Sequence, residues 1–216
     1  MKALAAWAAD KGEPPVARLA RERNDPFAVL VGAMLSARAR DATTALVVAD
    51  LLDAAPTPRA IAAMSLPAVT AVVKPVGLYR QKARNLLALA RILVDRYGGK
   101  VPADLAALTS LPGVGIKSAN LVLGQAFGIP AICVDVHVHR IVNRWGLVAT
   151  ASPEKSEAAL RRVVPERYWI PMNPMLVRFG QEVCLPRRPR CGGCPLGRWC
   201  DTGGESLARR PGPSYT

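Results

Sequence analysis

Apolar positions recur along this chain at helical spacing, and no stretch alternates as a half-buried strand would. The clearest run follows Gly77-Leu78. Tyr79, Ala83, Leu86, Leu87, Ala90, Leu93, Val94 and Tyr97 form one apolar stripe, while Arg80, Arg84, Arg91 and Asp95 share the opposite face as solvated surface. Gly98-Gly99 stops that helix. Shorter helices are predicted at 2–9 and, after Pro14 and Pro15, at 16–23. Asn24-Asp25-Pro26 reads as a stop and a new start, with Pro26 at the first helical position. The segment 27–35 is almost wholly apolar, so its helix should be buried on all sides. Asp41 can cap a helix over 42–52. Further helices are expected at 58–64, 66–73, 104–108, from Ile116 onward, and at 136–145, 153–163 and 174–183. The valine-rich piece 134–138 could be strand by propensity, but no alternating series supports a sheet. The chain reads as all-α.

Chemistry concentrates first in Leu111-Pro112-Gly113-Val114-Gly115-Ile116-Lys117-Ser118-Ala119. Proline presets φ for the second position of a tight turn, and glycine takes the positive φ that a type II turn needs next. Gly115 frees the backbone again before an apolar helical pattern resumes. The product is helix, glycine hairpin, helix. Such a hairpin leaves amides unpaired at a helix N-terminus, where the macrodipole also favours an anion such as phosphate. An ordinary αα corner would look similar. Lys117 tips the balance, because it falls in the first turn, where a cation is disfavoured, and an amine nucleophile has to be neutral.

Asp135 follows eighteen residues after Lys117, in Ala131-Ile132-Cys133-Val134-Asp135-Val136-His137-Val138-His139-Arg140. A carboxylate that closes an apolar run and opens a helix is an N-cap by default, and a cap can also do chemistry. His137 and His139 are two apart, so they do not share a helix face, and hydrogen-bonded or solvated histidines are expected rather than a metal pair.

Charge narrows the partners. The 216 residues carry 29 basic and 16 acidic side chains, a formal net charge of +13 that points to a polyanion, most simply nucleic acid. Aromatics make up only 5%, too few for a platform that stacks single strands. No apolar run spans a bilayer, and the N-terminus lacks a signal-peptide pattern, so a bacterial or archaeal cytosol is expected. Cysteines there are reduced and serve more readily as metal ligands than as disulfides.

Four of the five cysteines fall near the C-terminus as Cys184-x6-Cys191-x2-Cys194-x5-Cys200. That spacing can close around a soft tetrahedral centre, and by itself it does not choose zinc over an iron–sulfur cluster. Arg187, Arg188, Arg190 and Arg198 sit among them with no acid in the loop, a credible set of phosphate contacts. Cys133 lies in an apolar run and is expected in the core. The tail from Arg209 onward, rich in Pro, Gly and Arg, is expected to be disordered.

In series, Leu-Pro-Gly-Val-Gly-x-Lys-Ser-Ala, Val-Asp-x-His-x-x-Arg and the four-cysteine loop resemble the endonuclease III branch of the helix-hairpin-helix DNA glycosylases. The likeness runs from about Asp25 to Cys200 and includes Leu35-Ser36-Ala37 and Gly77-Leu78-Tyr79. It implies two lobes. One, over 19–128, is a six-helix barrel bearing the hairpin. The other joins 1–18 to 129–208 and holds a [4Fe–4S] cluster on Cys184, Cys191, Cys194 and Cys200, with DNA across the cleft between the lobes. The resemblance also implies a monomer acting on double-stranded DNA that contains damaged bases or abasic sites. Lys117 would be the nucleophile and Asp135 its carboxylate partner. Leu78 would match the apolar wedge that props the duplex open. Leu111, Gly113, Gly115, Arg140, Arg187, Arg188 and Arg190 would contact the DNA.

Three departures from that pattern stand out. Arg38 occupies the position where the family usually has a glutamine that fills the gap left by the flipped base. Arg40 is more basic than expected, and Val136 replaces the usual threonine after the aspartate. An arginine is longer, charged and able to fork onto a base or phosphate, so an altered lesion range is expected. Among rivals, an adenine-mismatch glycosylase would carry a glutamate within 30–35 and a further C-terminal domain, and a monofunctional mismatch or uracil-type glycosylase would lack the lysine. A non-catalytic DNA-binding module with a structural metal would need the hairpin and the cysteines but not the pair of Lys117 and Asp135.

Overall fold

A computed structural model of the chain describes residues 1–12, 14, 18, 22, 23, 25–37, 39 and 41–203, without the side chain of Asp41. Its described secondary structure is entirely helical, as the apolar spacing requires. The expected helix at 16–23, the roles of Arg38 and Arg40, the capping role of Asp41 and the tail from Arg209 fall outside what is described. No described helix is long and apolar enough to cross a membrane. The chain divides into two compact units, Pro14–Ala131 and a second made of Met1–Glu13 with Ile132–Thr216.

The helices are α1 (Lys2–Ala8), α2 (Pro26–Leu35), α3 (Asp41–Ala54), α4 (Pro58–Ala63), α5 (Leu66–Val73), α6 (Tyr79–Tyr97), α7 (Leu105–Thr109), α8 (Ile116–Phe127), α9 (Val136–Arg144), α10 (Pro153–Val163) and α11 (Trp169–Glu182). In the first unit, α2 is the central rod. Every residue from Phe27 to Leu35 is buried, which is why its sequence shows no polar face. Pro26 sits at the helix start, and the Asp25 carboxylate accepts from the Phe27 amide at 3.0 Å. Helices α3, α6 and α8 pack against this rod, and α4 and α5 pack on α6. The stripe read from α6 is buried from Ala83 to Leu93, and Gly98, at φ 61°, ends the helix. Arg80, Arg84, Arg91 and Asp95 are exposed.

The second unit closes α1, α9, α10 and α11 around Leu4, Ile132, Val138, Ile141, Leu160, Met172, Leu176 and Phe179. The Trp7 ring stands edge-on to Phe179 at 5.0 Å. Residues 134–138 are not strand; α9 begins at Val136. Helix α11 begins five residues before the expected start at 174. Pro171 falls in its first turn, where no amide bond is required, and Pro174 removes one bond from the interior. Two contacts hold the helix through that gap. Trp169 Nε1 donates to the Val164 carbonyl at 2.8 Å, and the buried Asn173 amide donates to the Cys133 carbonyl at 3.1 Å. Cys133 itself is core.

Candidate active site and cysteine loop

The hairpin has the predicted turn. The Val114 amide donates to the Leu111 carbonyl at 3.1 Å across Pro112-Gly113, and Gly113 takes φ 80°. A Cβ at Gly113 would lie 2.8 Å from Nδ2 and 3.1 Å from Cβ of Asn85 on α6, so both conformation and space demand glycine. Gly115 differs from the expectation. Its φ of −93° is ordinary extended backbone, and nothing stands within 4 Å of an added Cβ. The fold does not need glycine there, and the open space lies where a ligand could approach the backbone. Leu111 is buried and anchors the turn rather than projecting from it. Lys117 is the second residue of α8 and half-buried. The first helical bond of α8 is from the Ala119 amide to the Gly115 carbonyl, at 2.9 Å. The amides of residues 116–118 therefore have no partner within the helix.

Leu78 immediately precedes α6 with φ 59°, the left-handed region that bulky residues avoid, and its side chain is 55% exposed. An exposed leucine in a strained conformation contributes nothing visible to the core. Strain of this kind clusters at functional sites.

In the second unit, Asp135 caps α9. Its Oδ1 accepts from the amides of His137 at 2.9 Å and Val138 at 2.8 Å. The cap uses Oδ1 alone, so Oδ2 is not part of it. Val136, at the head of the helix, is 66% exposed. The histidines are hydrogen-bonded as expected: Nδ1 of His139 lies 2.7 Å from the Ser156 hydroxyl, and Nδ1 of His137 lies 3.1 Å from Nη2 of Arg140.

Arg140, expected at the DNA, has partners inside the fold: it donates to the Cys184 carbonyl from Nε at 3.2 Å and from Nη2 at 2.9 Å, and to the Gly180 carbonyl at 3.1 Å. A Cβ at Gly180 would stand 2.9 Å from Nη2, so glycine lets the fork reach the end of α11. Burial pulls the Arg140 pKa below its ordinary value, opposed by the charge of Cys184. Its role is to brace the start of the cysteine loop.

All four loop cysteines, free of disulfides, line one pocket together with Trp145, Phe179 and Gly197. Nη1 of Arg144 lies 3.4 Å from Sγ of Cys184, and the Gly203 amide lies 3.3 Å from Sγ of Cys200. Burial pushes the Cys194 thiol up, opposed by the Leu196 amide, so a thiolate there calls for a positive centre beside it. Four sulfur donors supported by N–H groups in an apolar pocket fit a soft metal centre. The four-sulfur donor set suits zinc and an iron–sulfur cluster alike. Arg187, Arg188 and Arg190 are exposed around it.

Residues 31–166 match the HhH-GPD superfamily of base excision DNA repair proteins. Over 180 residues the chain is 43% identical to endonuclease III of Thermotoga maritima, covering 83% of this chain and 84% of that protein. The chain belongs to the endonuclease III family. Endonuclease III of Escherichia coli K12 is 39% identical over 82% of this chain and 84% of its own length. A non-covalent complex of endonuclease III with DNA superposes with a TM-score of 0.80 at 34% identity, over 89% of this chain and 95% of that one. A thermostable thymine-DNA glycosylase superposes at 0.81 with 26% identity, over 94% of each chain.

Sequence reasoning missed three residues behind this family's hairpin. Lys82 is only 6% exposed and donates from Nζ to the Leu35 carbonyl at 2.8 Å. The buried Ser118 hydroxyl donates to the Ala33 carbonyl at 3.4 Å. The Asn85 side chain lies against the turn at Gly113. The only signal for Lys82 was its place between the apolar stripe and the arginine face of α6.

Proposed function

We propose that this endonuclease III family member is a base-excision-repair DNA glycosylase with abasic-site lyase activity, acting on oxidised pyrimidines in duplex DNA. The observation that carries the reading is Lys117 in the first turn of a helix, directly after a hairpin whose amides are free to hold a phosphate. Structures of relatives with DNA, one non-covalent and one a trapped covalent intermediate, support a DNA partner and a covalent step.

A base inside the stack is out of reach, so the damaged nucleotide has to be turned out of the duplex. Leu78 is suited to wedge the gap, and Arg187, Arg188 and Arg190 to neutralise backbone phosphates. The neutral Lys117 amine attacks C1′ of the deoxyribose. The glycosidic C–N bond breaks, and its electron pair leaves with the base, which takes a proton. Asp135 accepts a proton from the attacking amine or steadies positive charge on the sugar, through the oxygen its cap does not use. Ring opening gives a protonated Schiff base between Lys117 and C1′. Removal of a C2′ proton then expels the 3′ phosphate by breaking the C3′–O3′ bond, and water releases the enzyme. Cys184, Cys191, Cys194 and Cys200 would hold a [4Fe–4S] cluster, which when bound cross-links the loop and fixes its arginines. Arg38, in place of the family's usual glutamine, is expected to shift lesion range or opposite-base preference.

Borohydride trapping on duplex DNA with an abasic site tests the reading. The wild-type chain should give a covalent adduct that Lys117→Ala loses while still binding the duplex. No adduct under any condition would favour a non-catalytic binding module. Equal excision by wild type and Arg38→Gln, across opposite bases, would refute the altered lesion range.

A further inference from the structure

Lys82 is the one charged side chain among the fully described buried residues of the first unit. It lies on α6 beside Ala83 and Leu86, both fully buried. Among the described residues no carboxylate pairs with it, and burial alone pulls its pKa below the ordinary lysine value. A methionine of similar length would fill that space without taking a charge out of water, so packing alone does not explain an ammonium there.

The hydrogen bond of its side chain does. Nζ donates to the carbonyl of Leu35, the last residue of α2, where the helix dipole favours a cation. The same turn of α2 receives two hydroxyls on the Ala33 carbonyl, Ser36 at 3.1 Å and Ser118 at 3.4 Å. Ser118 is the residue after Lys117. The end of α2 is therefore tied to α6 through Lys82 and to the first turn of α8 through Ser118. Lys82 and Asn85 also fall three apart, so they share one face of α6. Along that face the helix carries the clamp on α2 and the side chain that lies against Gly113.

We infer that Lys82 is a positioning residue for the lyase reaction: its ammonium fixes the end of α2, which through Ser118 sets where the first turn of α8 holds Lys117. The inference rests on the function proposed above. Removing the clamp should displace the nucleophile without removing any group that touches DNA. A misplacement of about 1 Å can slow a reaction roughly a hundredfold.

The experiment compares wild type with Lys82→Met, Lys82→Gln and Lys82→Arg. It measures single-turnover nicking of abasic-site duplex, borohydride trapping, affinity for a duplex with an uncleavable tetrahydrofuran site, and thermal melting. Lys82→Met should slow nicking and trapping by about tenfold or more, with tetrahydrofuran affinity within about threefold, and Lys82→Arg should recover most of the rate. Lys82→Gln reads the same contrast should the methionine variant not fold. Nicking by folded Lys82→Met or Lys82→Gln at the wild-type rate overturns the inference. So does a rate loss matched by an equal loss of affinity or of folded protein, or a failure of both neutral variants to fold, since each marks an ordinary structural role. If wild type itself yields no adduct, the proposed function fails first and this inference falls with it.

Discussion

The two hairpin glycines, read alike in the sequence, should respond to alanine in opposite ways. Gly113→Ala forces a side chain to φ 80°, which costs about 1–2 kcal/mol for an L residue. Its methyl would also meet Asn85 at 2.8 Å from Nδ2 and 3.1 Å from Cβ, so that the side chain has to shift by some tenths of an ångström. A total of about 2 kcal/mol lowers the melting temperature by roughly 4–8 °C in a chain of this size. Gly115→Ala meets open space at φ −93°. The unfolded-state gain of about 0.4–1 kcal/mol is roughly offset by the poorer N-cap, leaving stability within about 0.5 kcal/mol. If the free amides of α8 hold a phosphate, that same methyl stands in its way. Losing one charge-assisted bond of about 1.5–3 kcal/mol weakens binding by roughly ten- to hundredfold. Thermal melting, paired with titration of a duplex carrying an uncleavable abasic analogue, separates the two effects. Gly115→Ala binding with wild-type affinity, or melting as low as Gly113→Ala, would refute the assignment of the hairpin as a phosphate cradle.

Other perturbations follow from the same geometry. Asp135→Asn should keep the α9 cap, because asparagine caps about as well as aspartate, and leave melting within about 1 kcal/mol. Excision should fall about 10²- to 10⁴-fold, and an unchanged rate would remove Asp135 from the chemistry. Replacing Arg187, Arg188 and Arg190 together with glutamine should reduce the slope of log affinity against log salt by about 3, whereas an unchanged slope would show that the loop does not touch phosphate. Arg140→Met leaves carbonyls of Gly180 and Cys184 without their donor, so stability should drop by about 1–3 kcal/mol, and if the loop holds the proposed cluster, iron should be released to a chelator faster. Its salt slope should match wild type, and a shallower one would return Arg140 to the DNA interface.

The sequence was most legible where chemistry and conformation are local. Pro112-Gly113 sets its own turn, Asp135 caps the helix it precedes, and the cysteine spacing announces a sulfur-rich loop before any packing is known. The continuous apolar run of α2 likewise disclosed its burial, since a helix without a polar face has nothing to show to water. What stayed hidden depends on partners distant in sequence. Arg140 reads as a surface cation until the carbonyls of Gly180 and Cys184, forty and more residues later, are seen to take its donors. Lys82 looks like one more solvated lysine until the Leu35 carbonyl is brought to it. The early start of α11 was masked because two prolines argue locally against a helix that Trp169 and Asn173 secure through contacts elsewhere.

Leu78 has an implication for engineering thermal tolerance in this protein. Glycine would occupy its backbone geometry freely, and relief of about 1–2 kcal/mol makes that position an obvious candidate in any screen for heat-resistant variants. Such a screen, blind to repair, would favour shortening a side chain the fold keeps at its own expense, and the hardier variant it returned would lack the leucine proposed to part the duplex.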